Sequence, residues 1–294
     1  MKQNVWQKQD LKTNNQVPNS LLQQTRHQID PYSSSPNLDA LVLLGFITGK
    51  TKSQLLADPS PVLTPQEQSQ LNKSLDQIKG GIPLPYVIGT WEFYQLPFSV
   101  TPYVLIPRPE TEGLVERAIA WFENHPSRRT CLDLGTGSGC IAVSLAKRIP
   151  GLKILATDFS YPALLVARKN ARQNKADKSI NFLAADLLDG FQIKIDLLIT
   201  NLPYIPTEKL KSLHVYQTEP RLALDGGPDG LSQIHEVLEN VSGSLNPGGL
   251  ILMEIDEGNG PGSIDTAHAM FPRAEISVEK DLAGMDRYLR VQTQ

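Results

Sequence analysis

The sequence predicts an α/β protein. A mostly parallel, seven-stranded sheet is covered by helices on both faces and preceded by a small helical domain and a β-hairpin linker. Three observations carry this expectation. From residue 130 onward, short apolar runs alternate with stretches of helical periodicity, and strands that alternate with helices pair in parallel through crossovers. A glycine-rich segment, Asp133-Leu134-Gly135-Thr136-Gly137-Ser138-Gly139, follows the first of these strands and opens a helix. Before residue 86 the apolar positions recur at helical spacing instead.

Residues 1–37 are rich in Gln, Asn and Ser and break between Pro31 and Pro36. They read as a polar extension, partly disordered, with helical character around Leu21 to Ile29. Residues 38–85 read as the helical domain. Leu38, Leu41, Leu43, Leu44 and Phe46 sit on one helix that extends toward Leu55 and Leu56. Thr64-Pro65-Gln66-Glu67 opens a second, with a Thr N-cap, a Pro at the first helical position and a capping-box Glu three residues on. Residues 86–112 alternate aromatic and β-branched side chains, including Tyr86, Val87, Trp91, Phe93, Phe98 and Val100, and read as a β-hairpin linker. Residues 113–294 form the α/β domain. Its strands are expected at 130–134, 153–157, 179–184, 195–200, 250–255, 273–278 and 287–291, the last two forming an antiparallel pair.

Composition narrows the class. The chain has 294 residues, 40% of them hydrophobic and 20% charged, which suits a globular protein with a sizeable core. A net charge of -3 gives no electrostatic advertisement for nucleic acid, and a stable nucleic-acid complex is not expected. Cys131 and Cys140 form no C-x-x-C pair, and the five histidines have no ligand spacing, so no metal is expected. No apolar run approaches the ~18 residues of a bilayer span, and the polar start is unlike a secretory signal. A cytoplasmic monomer is the expectation.

The glycine segment carries the first chemistry. Glycines let backbone turn tightly and approach a ligand, and free N–H groups at a helix start attract polar groups. The spacing is G-x-G-x-G rather than the G-x-G-x-x-G of dinucleotide sites. Asp133, two residues before the first glycine, suits a cationic group and would oppose a pyrophosphate. The next strand ends in Asp158, placed to accept from ribose hydroxyls. The following one ends in Asp186, placed to accept from an adenine amino group. Three acids at three successive strand ends resemble the Rossmann-like class I S-adenosylmethionine-dependent methyltransferases. The resemblance implies S-adenosylmethionine as methyl donor. It places Asp133, Gly135, Thr136, Gly137, Ser138 and Gly139 around the methionine portion, Asp158 on the ribose, and Asp186 with Leu187 near the adenine.

A second motif, Asn201-Leu202-Pro203-Tyr204, follows the strand ending at Thr200, beside the expected methyl position. An amide or aromatic amine nitrogen is a poor nucleophile with a delocalised lone pair. It must be held in line with the methyl carbon, and its hydrogens need acceptors. The Asn201 side-chain oxygen and a backbone carbonyl can accept them, the Tyr204 ring can cover a planar acceptor, and alignment then carries much of the acceleration. The tetrapeptide resembles the (Asn or Asp)-Pro-Pro-(Tyr or Phe) pattern of amino-methylating enzymes. It departs at Leu202, which does not fix φ as proline does and would loosen the loop. Asn-Leu-Pro-Tyr is also common in rRNA adenine dimethyltransferases, so the motif leaves glutamine and adenine open.

Longer motifs choose between them. Val104-Leu105-Ile106-Pro107-Arg108-Pro109-Glu110-Thr111-Glu112, Glu219 to Leu231, and Lys280 to Arg287 closely resemble the release-factor glutamine methyltransferase family across roughly residues 38–292. That resemblance implies methyl transfer to the side-chain amide (N5) of the Gln in the Gly-Gly-Gln loop of class 1 peptide chain release factors, with the helical domain binding the release factor. The alternative is a nucleic-acid adenine N6-methyltransferase. The Ile106–Pro109 run is open between a rigid linker and a segment that closes over the cofactor with Thr111, and Arg108 and Glu110 are open to a structural ion pair. Asp256 and Glu257 depart from the family, which usually has Glu-Ile-Gly, an aromatic residue and a Gln after the strand near residue 254.

Overall fold

The computed structural model describes residues 20–190 and 193–294. The chain divides into two compact units, Met1–Val87 and Ile88–Gln294. Most of the expected polar extension, residues 1–19, lies outside the described residues.

The first unit holds α1 (Leu21–Ile29), α2 (Pro36–Thr48), α3 (Lys52–Ala57) and α4 (Pro65–Lys79), and most of a short α5 (Leu84–Ile88). Its core is formed by Ile29, Leu43, Leu44, Leu55, Leu71 and Leu75. The helical unit therefore starts well before residue 38. Ser20 caps α1 by accepting from the Gln23 N–H, and Ile29 buries fully beside Thr25, so a cap and one apolar anchor suffice inside a polar stretch. The apolar run after Leu38 is two helices, not one. Gly49 adopts φ +68° and ends α2 with its N–H on the Gly45 carbonyl, and Thr51 with Gln54 forms a capping box that starts α3.

In the second unit, β1 (Thr90–Phe93) and β2 (Leu96–Ser99) form a hairpin. Tyr94 and Gln95 at its turn both have positive φ, the geometry of a tight two-residue connection. Glu112 holds the turn by accepting from the Tyr94 N–H at 2.8 Å. The hairpin is shorter than the expected 86–112, and its Phe93 and Phe98 are buried in the core of the α/β unit. Asn170 joins it to the glycine loop. Its Oδ1 accepts from the Ser99 N–H, and its Nδ2 donates to the Ser99 and Ser138 carbonyls.

Then follow α6 (Pro109–Asn124), β3 (Thr130–Leu134), α7 (Cys140–Arg148), β4 (Lys153–Asp158), α8 (Tyr161–Gln173), β5 (Ile180–Ala184), β6 (Ile195–Thr200), α9 (Thr207–Lys211), α10 (Val215–Thr218), α11 (Ser232–Asn240), β7 (Leu245–Glu254), α12 (Gly260–Met270), β8 (Glu275–Lys280) and β9 (Asp286–Gln292). The seven strands from β3 to β9 form one sheet in the order β5-β4-β3-β6-β7-β9-β8. Pairings from β5 to β7 are parallel, and β9 runs antiparallel to both β7 and β8. The expected α/β class and seven-stranded, mostly parallel sheet are what the structure shows. Helix α6 begins at Pro109, inside the segment read from sequence as linker. Pro109 fits the first helical position, and Glu110 and Glu112 complement the helix N-terminus.

The chain steps outward from β3 to β4 and β5, then returns to β6 on the other side of β3. Such a reversal leaves a crevice beyond the carboxyl ends of the strands, where open α/β sheets bind ligands. Cys131 and Cys140 are buried as free thiols. Among the described residues, no group of three or more His, Cys, Asp or Glu is placed to hold a metal, and no helix is long and apolar enough to cross a membrane.

Candidate active site

A cavity of about 510 Å³ opens at that crevice. Its wall contains Gly135, Thr136, Gly137 and Ser138 from the loop after β3, Asp158 at the end of β4, Asp186 and Leu187 after β5, and Asn201, Leu202 and Pro203 after β6. Of the residues expected at the site, Asp133, Gly139 and Tyr204 are not in the wall.

Asp133 lies beneath the glycine loop with no solvent exposure. One oxygen, Oδ2, accepts from Thr136 Oγ1 at 2.6 Å and from the Ala142 N–H at 3.1 Å. Its Oδ1 is buried without a hydrogen-bond partner among the described residues. Burial outweighs the two hydrogen bonds and raises the carboxyl to about 7. Asp133 thus shapes the loop from below. Gly139 has φ +79°, and a Cβ there would lie 3.1 Å from the Ala167 side chain, so this glycine serves helix packing. Gly137 differs. It has φ +55° and nothing within 4 Å of a Cβ position, so its backbone borders open space. Asp158 braces the loop from the other side, with Oδ2 accepting from the Gly137 N–H and Oδ1 from the Ser160 N–H, both at 2.8 Å. Burial raises its carboxyl as well.

The raised carboxyl of Asp133 has a measurable consequence. An unfolded Asp titrates near 3.9, so between about 4 and 7 the folded chain holds a proton that the unfolded chain has lost. Stability contributed by this group is complete below the lower value and is lost as pH rises through the upper. Glu254, also raised to about 7 by burial, acts in the same sense. Asp133→Asn is therefore expected to flatten part of the fall in stability between about pH 4 and pH 7, by at least about 1 kcal/mol in urea unfolding. An unchanged slope would contradict the buried-acid assignment.

The loop after β6 is held by groups far away in sequence. Leu202 is buried in the core cluster that contains Leu132, Leu134 and Ile251. Its Cδ2 would lie 3.1 Å from a Cβ on Gly135. Packing thus supplies the restraint that a proline ring would give, and the expected loosening has a counterweight. The Tyr204 ring stands behind the wall, not over the cavity. Its hydroxyl donates to Glu254 Oε1 at 3.1 Å, and burial pushes its phenol well above the ordinary range. Asn259 Nδ2 donates to the Tyr204 and Gly230 carbonyls, each at 3.1 Å.

Asn201 Nδ2 donates to Thr111 Oγ1 at 3.0 Å, and Thr111 Oγ1 donates to Glu254 Oε2 at 2.8 Å. Thr111 is in the cavity wall. Arg108 does not pair with Glu110. Its guanidinium donates to Glu219 Oε1, while Glu219 Oε2 accepts from the Ile106 N–H at 3.1 Å. This carboxylate clips together the segments 102–107 and 220–223, both of which contribute to the wall. Asp256 receives Lys209 Nζ at 2.9 Å and so ties the departing acid to α9. Glu219, Asn259 and the pairing of Thr111 with Glu254 were not assigned from sequence. The acid at the end of β7 was the available signal.

The wall fits an adenosyl-methionine ligand in its chemistry: an open backbone at Gly137 and acids at two further strand ends. Comparison with known proteins gives the family. The Methyltransferase small domain matches residues 118–218, and the PrmC N-terminal domain matches residues 20–89. A release factor glutamine methyltransferase from Moorella thermoacetica is 42% identical over 86% of this chain and 89% of its own length. The chain belongs to the release factor glutamine methyltransferase family. Another member, from Caulobacter vibrioides, is 36% identical over 86% of this chain and 88% of its own length. Among solved structures, a methyltransferase from Pyrococcus furiosus shares the fold with a TM-score of 0.51 and 16% identity, covering 78% of this chain and 98% of that one. As members of the class I methyltransferases, this family implies S-adenosylmethionine as methyl donor. The N-terminal match from residue 20 also agrees with a helical unit that includes α1.

Proposed function

We propose that this protein transfers a methyl group from S-adenosylmethionine to the side-chain amide nitrogen (N5) of the glutamine in the Gly-Gly-Gln loop of class 1 peptide chain release factors. The carrying observation is Asn201 in the cavity wall with Nδ2 engaged by Thr111, which leaves Oδ1 to accept from an incoming amide. The donor's sulfonium makes its methyl group electrophilic, so no metal is required by the chemistry. The glutamine nitrogen would form the new C–N bond as the C–S bond breaks, the sulfur would leave as the thioether S-adenosylhomocysteine, and the proton lost from nitrogen would pass to solvent. Asn201 Oδ1 and the Leu202 carbonyl accept the amide hydrogens and keep the nitrogen in line. Gly135, Thr136, Gly137 and Ser138 hold the methionine portion, with Asp133 and Gly139 fixing their loop. Asp158 takes the ribose, and Asp186 with Leu187 takes the adenine. Pro203 and Tyr204 fix the loop that carries Asn201. A cytoplasmic monomer without a stable nucleic-acid complex completes this reading.

The test uses labelled S-adenosylmethionine with four substrates in parallel: a class 1 release factor, its Gln→Ala loop variant, rRNA and DNA. Label is expected on the intact release factor alone. Label on RNA or DNA and none on the release factor would overturn the reading.

A further inference from the structure

We propose that Glu254 and Thr111 are positioning residues that determine which end of the Asn201 amide is presented to the substrate. Glu254 ends β7 with 1% exposure. Both of its oxygens are engaged, Oε2 by the Thr111 hydroxyl at 2.8 Å and Oε1 by the Tyr204 hydroxyl at 3.1 Å. An ionised carboxylate only accepts, and a hydroxyl has one hydrogen to give. Once Thr111 has given its hydrogen to Glu254, its oxygen can only accept from Asn201. Only the Nδ2 end of the Asn201 amide can satisfy it, at 3.0 Å. Oδ1 is then the end left for the ligand. The opposite orientation would set one NH2 group against another and remove the acceptor that the glutamine nitrogen needs.

A neutral group at position 254 removes this polarity. The amide of Glu254→Gln can donate to Thr111, whose hydrogen can then turn to Asn201 and stabilise the flipped amide. Protonation of Glu254 has the same effect. Burial raises its carboxyl to about 7, against the hydrogen bonds from Thr111 and Tyr204 and the charge of Arg287, with Glu110 adding to the rise. Among the described residues, the Tyr288 phenol and the Cys140 thiol also sense it.

The inference rests on the methyl-transfer reading, and one arm of its test does not use substrate. In the kinetic arm, Thr111→Val and Glu254→Gln are compared with Thr111→Ser on a release factor. Thr111→Val and Glu254→Gln are expected to lower kcat roughly tenfold to a hundredfold, with KM for the release factor and affinity for S-adenosylhomocysteine nearly unchanged. Thr111→Ser keeps the hydroxyl and is expected to restore most of kcat. Wild-type kcat should fall as pH drops through about 7, and that limb should be absent from Glu254→Gln. In the second arm, the Asn201 side-chain NH2 signals are identified by NMR through their loss in Asn201→Ala. They are expected to be slow in hydrogen exchange in the wild type and fast in Thr111→Val. A fully active Thr111→Val, or a Thr111→Ser no better than Thr111→Val, would overturn the inference. So would rapid exchange of the Asn201 amide in the wild type, which decides the matter even if the release factor is not the substrate or a variant fails to fold.

Discussion

Asn201→Ala is expected to reduce methyl transfer by about a hundredfold to a thousandfold while leaving cofactor affinity nearly unchanged. The asymmetry follows from where the side chain is anchored. Among the described residues, the Asn201 side chain hydrogen-bonds through Nδ2, to Thr111, and its oxygen remains for the substrate. Truncation removes an acceptor at the reacting nitrogen. The rest of the cofactor wall, from Gly135 to Ser138 and at Asp158, is braced by Asp133, Thr136 and Asn170, none of which depends on Asn201. The Leu202 anchor in the core also stays, so the loop keeps its course. Single-turnover transfer to a release factor gives the first quantity, and equilibrium binding of S-adenosylhomocysteine gives the second. A variant that transfers methyl at near wild-type rate would remove Asn201 from the reaction. One that loses cofactor affinity in equal measure would make it a cofactor ligand and no more.

Local pattern and long-range contact divide what the sequence could reveal. The strand–helix alternation and the glycine loop are written in neighbouring residues, so they are legible from periodicity and spacing. So is the cap at Thr64, whose partner lies three residues on. The roles assigned to single polar side chains were less secure, because burial decides them. Asp133 has the residue type of a ligand-binding acid, yet the helix that begins at Cys140 draws it under the loop. Tyr204 looked free to cover a planar acceptor. Its hydroxyl instead finds a buried carboxylate fifty positions away. Thr111 and Glu254 are separated by 143 residues, and nothing in either local segment announces their hydrogen bond. The hairpin boundaries erred for a related reason. Alternation marked residues 90–99 as β, but Tyr86 and Val87 lie in α5 and residues 109–112 in α6, and only Phe93 and Phe98, packed in the α/β core, show which unit the hairpin belongs to.

The glycines after β6 carry the second large effect. Gly230→Ala is expected to abolish most transfer activity and to lower the melting temperature markedly. Its φ is +80°, which costs an L-residue roughly 1–2 kcal/mol. The new methyl group would also lie 2.2 Å from the Tyr204 carbonyl oxygen and 3.0 Å from Asn259 Nδ2. A backbone carbonyl cannot swing aside as a flexible side chain can. The Tyr204 segment must therefore move, breaking the clip in which Asn259 joins Tyr204 to Gly230. The displacement passes through Pro203 to Asn201. Gly137→Ala separates this effect from backbone strain alone. Its φ of +55° imposes a similar conformational cost, but nothing lies within 4 Å of its Cβ position. That variant should fold with a modest loss of stability and lose cofactor affinity, because its methyl group borders the cavity. Gly230→Ala should show the reverse order, with transfer falling further than affinity for S-adenosylhomocysteine. Calorimetric melting and binding titrations on the two variants distinguish the cases. Equal behaviour of the two would mean that glycine strain, rather than the position of Tyr204, limits the reaction.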